Sequence, residues 1–444
     1  MNTGGKPAGG RASTATGGKT STGGTAAGNV ITGGSQNSGG AISSGGTHVT
    51  GGSNAAGGSQ STGGFGGASS TGGASSSGGN DASGGTMSTG GTAANPGVSA
   101  IIAGEYHTCA LVNGRADCWG KNSVGQLGNA STIDSAVPVQ VQTLTAGVSA
   151  IGVGRVHSCA VVNGGVKCWG YDGNGRLGTV DRESSFVPSQ VQGLTANVTD
   201  LSVGGGFACA VASGKVRCWG SNLYGLLGNG STVDSAVPVQ VQSLSSNVSA
   251  IAAGEVHNCV VLNGGAQCWG SNAEGLLGNN SSADSFVPIQ VQGLTSGVTA
   301  INAAGWHTCA LVNGGVWCWG YNESGELGNN STEPTWVPVQ VHGITSGATS
   351  VAVGFDHSCA VVDGSVKCWG ANAYGQLGNN STQASLVPVQ VQGLTLGVTA
   401  VTAGATDSCA LVNREALCWG SNSFGQLGDG TTISRLVPVR VLFP

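Results

Sequence analysis

The sequence predicts an all-β repeat protein: seven blade-sized units behind a disordered arm. Three observations lead there. The cysteines recur with a 50-residue period, each period holds about four short apolar alternations, and the first stretch is glycine-rich with little material for a core. The register is unambiguous. Cysteines stand at Cys109, Cys159, Cys209, Cys259, Cys309, Cys359 and Cys409, and again nine residues later at Cys118, Cys168, Cys218, Cys268, Cys318, Cys368 and Cys418. One unit reads VTAIxAGxxHxCALVNGGVxCWGxNxxGQLGNNSTxxSxVPVQVQGLT, apolar alternations divided by Gly and Asn clusters, which is strand and turn chemistry. No stretch carries a capped helical period.

In chain order the arm comes first. Residues 1–95 hold 31 of the 83 glycines, mostly as Gly-Gly pairs spaced by Ser, Thr and Ala. Val30, Ile31, Ile42, Val49, Phe65 and Met87 are too few to offset the backbone entropy lost on ordering. A disordered coil of this length spans about 50 to 60 Å, enough for a tether or stalk, or it is a tail that aids solubility. Lys6, Arg11 and Lys19 against Asp81 give the arm +2, so a total of -5 leaves -7 for residues 96–444. An acidic folded part disfavours nucleic acid. No segment approaches the ~18 to 20 apolar residues of a membrane helix. The start MNTGGKPAGG shows no signal peptide, so export requires a trimmed leader or an earlier start codon.

Within the first unit the expected strands cover residues 109–112, 116–119 and 137–141, and residues 149–153 lead into the next copy. Four such strands per 50 residues fit a propeller blade. Asn113-Gly114 favours a two-residue hairpin turn because both central residues need positive φ. Counting outward, Val112 faces Arg115, Leu111 faces Ala116, Ala110 faces Asp117 and Cys109 faces Cys118. That fourth pair is a non-hydrogen-bonded one, with Cα atoms ~4.5 Å apart, within reach of a disulfide. Two other readings stay open at this point: a metal set of His107 with the two thiols, which supplies only three ligands, and buried free thiols packing as small hydrophobes. Phe207 and Asp407 replace the histidine in two units whose cysteines remain, which favours disulfides.

Units such as HTCALVNGGVWCWGYNESGELGNN at residues 307–330 closely resemble repeats of the regulator of chromosome condensation family. The resemblance rests on the Ala-Gly-x-x-His-x-Cys entry, the Cys-Trp-Gly exit and the Gly-x-Leu-Gly turn at residues 125–128, and it covers residues 98–444. It implies a closed seven-bladed β-propeller, which periodicity alone does not decide. Because the seventh VPxxV segment follows the last Cys-Trp-Gly and none precedes the first unit, residues 437–441 are expected to pair with the blade holding Cys109 and lock the ring. The repeated tryptophans and histidines are expected to be scaffold.

Function should lie where copies differ. The residues between Ala-Gly and the histidine place Glu105, Tyr106, Arg155, Glu255, Trp306, Phe355 and Asp356 in one ring at a propeller face, with aromatic and charged side chains typical of protein interfaces. A second variable set, Asp181 to Glu183, Glu333 to Trp336 and Arg435, precedes VPxxV and is expected at another edge, with Trp336 its best exposed aromatic. Catalytic chemistry is not legible. Gly-x-Leu-Gly does not open a helix, residues 172–175 lack a calcium loop's ligands, and the carboxylates Glu105, Glu255, Glu323 and Glu326 form no pair that sequence identifies. No cofactor or metal is expected, and a monomer is. The leading expectation is a non-enzymatic scaffold, extracellular or at the cell surface, whose partner is a protein. The alternatives are guanine-nucleotide exchange on a small GTPase with chromatin binding, as the family's nuclear members imply, and an extracellular carbohydrate binder or hydrolase.

Overall fold

In the computed structural model, which describes residues 97–444 apart from Ser245, every 50-residue unit folds into one four-stranded antiparallel sheet. The arm expected over residues 1–95 lies outside the described residues. In the first blade β1 (Val98–Ala103), β2 (His107–Val112), β3 (Arg115–Gly120) and β4 (Ser135–Gln140) pair in chain order. Asn113 and Gly114 have φ of 52° and 80°, the left-handed pair that a tight hairpin turn needs. They fix the register read from sequence, with Ala110 opposite Asp117 and Cys109 opposite Cys118. The fourth strand starts two residues earlier than expected because Ser135 already pairs with Gly120.

All seven cysteine pairs are disulfides, with Cα separations of 4.0 to 4.1 Å, and there is no free cysteine among the described residues. Each bridge is buried in an apolar cluster shared by two blades. The first strands of neighbouring blades touch and are buried along most of their length, whereas the fourth strands are half-exposed. The blades therefore stand radially, first strand innermost.

What joins blade to blade is the part of the repeat that reads only as turn chemistry. Trp169 is fully buried, and its indole N–H donates to the Gln126 carbonyl of the preceding blade at 2.9 Å. The ring face of Trp169 lies against Gly128, whose φ is +67° and where a Cβ would overlap the indole. Gly125 likewise leaves room for Phe186 of the next blade. The Gly-x-Leu-Gly turn is thus a socket for the following Cys-Trp-Gly strand. The histidine completes the joint: Ser158 Oγ donates to the same Gln126 carbonyl, so His107 Nε2 must donate to Ser158 Oγ, at 2.8 Å. Full burial pushes the His107 imidazole down to about 3 and keeps it neutral. The same latch joins His257 to Thr308, His307 to Ser358 and His357 to Ser408.

The ring closes, but not by the strand exchange expected from sequence. Residues 437–441 belong to the strand Arg435–Arg440, which pairs with Glu415–Gly420 of its own blade. The tryptophan socket of the other six joints is instead repeated between blades seven and one. Trp119 donates to the Gln426 carbonyl at 2.8 Å, Thr108 Oγ1 donates to it at 2.9 Å, and Ile101, Ala110 and Trp119 share a core with Leu411, Leu427 and Val441. Phe443, beyond the last strand, packs edge-on to Trp119 at 5.8 Å. Seven tryptophan sockets of one design make a circle without a special clasp.

This joint gives a direct test. Gly128→Ala places a side chain on left-handed backbone and against the Trp169 indole, and the expected loss is about 2 to 4 kcal/mol. Gly193→Ala has the same backbone sign, φ +72°, with open space around it, and should lose only about 1 kcal/mol. Urea midpoints of the two variants are the measurement, and equal losses would remove the socket.

Candidate functional site

Strand direction decides what shares a face. In each blade the chain runs up the first strand, down the second, up the third and down the fourth, so the first–second and third–fourth loops open on one face. The Asn-Gly hairpins and the links between blades lie on the other. The two variable sets read from sequence are therefore concentric on the same face and not at separate edges. The inner ring surrounds the axis, and the third–fourth loops surround it. Trp336 stands in the strand Thr335–Gln340 and not in a loop; its ring lies over Gly275 of the preceding blade with 44% exposed.

Three groups of side chains occupy this face. Between blades seven and one, Tyr106 and Phe424 meet edge-to-face at 5.3 Å, and the Lys121 ammonium sits 4.7 Å and 4.8 Å from their ring centres. Burial, followed by the neighbouring Glu105 carboxylate, pushes the Tyr106 phenol up to about 12. Around blades one to four, Arg155 Nε pairs with Glu105 Oε2 at 3.3 Å. Arg176 Nη1 donates to the Gly205 carbonyl at 3.3 Å, and the Glu255 carboxylate fills the space a Cβ at Gly205 would take. Burial raises the Glu255 carboxyl to about 8, against the pull of Arg155 and Arg176. At blades five and six, burial raises Glu326 to about 7, with Asp356 adding to the rise, and Asp356 itself to about 6.

The sequence-derived residues thus divide. Glu105 and Phe355 are buried, at 2% and 8% exposure, and support the ring from within. Tyr106, Arg155, Glu255, Trp306 and Asp356 are partly exposed on it. Lys121, Arg176, Tyr171, Tyr374 and Phe424 were not singled out, although the copies differ visibly at the residue after Cys-Trp-Gly, at the two residues of Asn-x-x-Gly and at the x of Gly-x-Leu-Gly. Arg176 stands where the other copies have Gln, Leu or Glu, and its guanidinium lies 5.2 Å from the Tyr171 ring centre.

The face is also the apolar one. Of the fourteen exposed large apolar side chains among the described residues, eight stand in its outer loops, including Ile133, Leu223, Tyr224 and Tyr374, whereas only Leu396 and Leu442 follow fourth strands toward the opposite face. No helix among the described residues is long and apolar enough to cross a membrane.

The description "Regulator of chromosome condensation (RCC1) repeat" matches residues 113–161, 163–211, 213–261, 263–311, 313–361, 363–411 and 415–444. A second profile of the same description matches residues 348–376. The first six matches begin at the hairpin turn, so each straddles two blades, and the seventh lies within the last blade. Human WBSCR16 is 23% identical with a TM-score of 0.66, over 74% of this chain and 95% of that one. Prp20p from Saccharomyces cerevisiae is 21% identical with a TM-score of 0.66, over 74% and 85%. No curated protein matches the chain. At such identities the likeness to the solved structures is one of fold.

Proposed function

This chain belongs to the regulator of chromosome condensation repeat family, and on that premise we propose that it is a non-enzymatic binding scaffold, secreted or held at the cell surface. It grips a protein partner through the face that carries the two concentric loop sets. The observation that carries this reading is the one-sided placement of exposed Tyr, Leu, Ile and Val on a ring held rigid by seven repeated joints. Seven disulfides suit an oxidising compartment. The alternative, nucleotide exchange on a GTPase with chromatin binding, draws on Prp20p, which is described by its binding properties to Gsp1p and histones. The loops of the candidate face hold fourteen carboxylates against four Lys and Arg, which opposes contact with a phosphate backbone.

The partner's position is read by cross-linking through lysine. Lys121 is the one lysine in the loops of this face, while Lys167, Lys215 and Lys367 lie on strands or at the other face. Cross-links of a captured partner are expected from Lys121, and links confined to Lys215 would move the site to the opposite face. Thiol counting on denatured native material is expected to find no free thiols before reduction; fourteen would end the extracellular reading.

A further inference from the structure

The loop face shows what kind of group it holds, because it already holds one of its own. We propose that its partner is a cationic protein surface, and that a lysine of that surface displaces Lys121 from between Tyr106 and Phe424. This rests on the reading of the loop face as the docking side and adds the chemistry of the occupant.

Two independent features carry it. The first is charge that the fold leaves unbalanced. Of the four cations in these loops, Lys121, Arg155 and Arg176 are partly withdrawn against Tyr106 and Phe424, against Glu105, and against Tyr171 respectively. Only Arg182 is fully exposed there, against seven exposed carboxylates, among them Asp181, Glu183, Glu274, Glu323 and Glu333. None of those seven is in a salt bridge among the described residues. The remainder of the propeller has the opposite balance, with eight Lys and Arg to five Asp and Glu. One of those eight, Arg435, begins the last strand beside this face and pairs with Asp429, yet the loops remain the acidic part of the propeller, and such a face steers a positive surface toward it and repels an acidic one.

The second feature is geometric. Two rings meeting at 67° with an ammonium under 5 Å from both centres form a site for a cation. The occupant is tethered by a flexible four-carbon stem beside solvent, so it can swing out when another ammonium arrives. Exposed apolar neighbours such as Ile133 and Ile433 flank the seam between blades seven and one and supply non-polar contact around it.

The test uses the full chain and a fluorescent oligolysine peptide, with an oligoglutamate peptide of equal length as control. Anisotropy is expected to show binding of oligolysine only, weakening at least tenfold between 50 mM and 300 mM salt. Tyr106→Leu should weaken it about fivefold. Lys121→Gln should tighten it about fivefold more than Arg182→Gln, which changes charge equally on the same face without vacating an aromatic pair. Leu396→Ala, on the opposite face, should leave it unchanged. Equal effects of the Lys121 and Arg182 variants would overturn displacement, and absence of oligolysine binding would overturn the cationic partner. A neutral or acidic partner cross-linked through Lys121 would overturn this proposal while leaving the docking face intact. A partner cross-linked only through Lys215 would overturn both.

Discussion

A chain unfolded in denaturant and then reduced is expected to stay unfolded when returned to buffer with reductant, and to refold when returned to buffer with oxidised glutathione, which takes up the electrons of the fourteen thiols as the bridges re-form. The reason lies in the size of the bridges' joint contribution. Each closes a hairpin with a sequence separation of nine, and chain entropy assigns such a loop about 2.5 kcal/mol. Seven of them together exceed the ~5 to 15 kcal/mol net stability of an ordinary domain, even after native-state strain and residual structure reduce the sum. The blades have little else to replace them. Their strands are six residues long, their first strands are rich in Ala and Val, and no apolar cluster is confined to one blade. Circular dichroism and the Trp emission of seven buried indoles report the outcome. A reduced chain that recovers the native emission would assign stability to the sockets alone. Removing one bridge, as in Cys259→Ala with Cys268→Ala, should cost about 2 to 3 kcal/mol, since the remaining six still restrain the unfolded chain.

The features legible in the sequence were those set by neighbours in the chain. Asn113-Gly114 imposes the turn, the turn imposes the register, and the register brings Cys109 to Cys118 with no information from elsewhere. The 50-residue period similarly gives the number of blades. What was not legible depends on contacts between blades. Closure was expected from a strand crossing the seam, because the VPxxV segments count one after the last Cys-Trp-Gly and none before the first. The structure shows that the seam needs no crossing: the Trp119 indole finds the Gln426 carbonyl as Trp169 finds Gln126. The inner-ring residues share one loop, between the first and second strands, because they share one place in each copy. Which of their charges face solvent was not legible, since Glu105 is consumed by Arg155 and Glu255 is drawn over Gly205, pairings that only adjacency around the ring creates. Lys121 and Phe424 escaped notice for the same reason, standing 303 positions apart in sequence and side by side at the seam.

That seam also holds a fault whose removal should stabilise the protein more as pH rises. In the repeating latch, the first residue of the second strand reaches the hydroxyl fifty-one positions on, as His357 reaches Ser408. Around the ring, the residue facing Thr108 in this way is Asp407. Its shorter carboxyl is 1% exposed, neither oxygen has a hydrogen-bond partner in the structure, and burial alone drives its pKa well above the usual carboxylate range. A carboxyl whose folded pKa exceeds its unfolded value binds its proton more tightly in the native state. Its unperturbed stability is therefore present below about pH 4 and is lost as pH climbs toward the folded pKa, by about 1.4 kcal/mol per unit. The buried histidines act in the opposite sense, being held neutral while the unfolded imidazoles gain protons below ~6.5. Total stability against pH is for that reason uninformative, and the quantity to measure is the difference between a variant and the parent. Asp407→Asn keeps the shape and removes the titration, so its advantage in urea should widen steadily from pH 5 to pH 7. Asp407→His should gain further, because an imidazole at that place can donate to Thr108 Oγ1, whose own proton already goes to Gln426. A gap between Asp407→Asn and the parent that stays constant over those two pH units would mean that the buried carboxyl does not titrate with folding, and that water or a shift of the seam satisfies it.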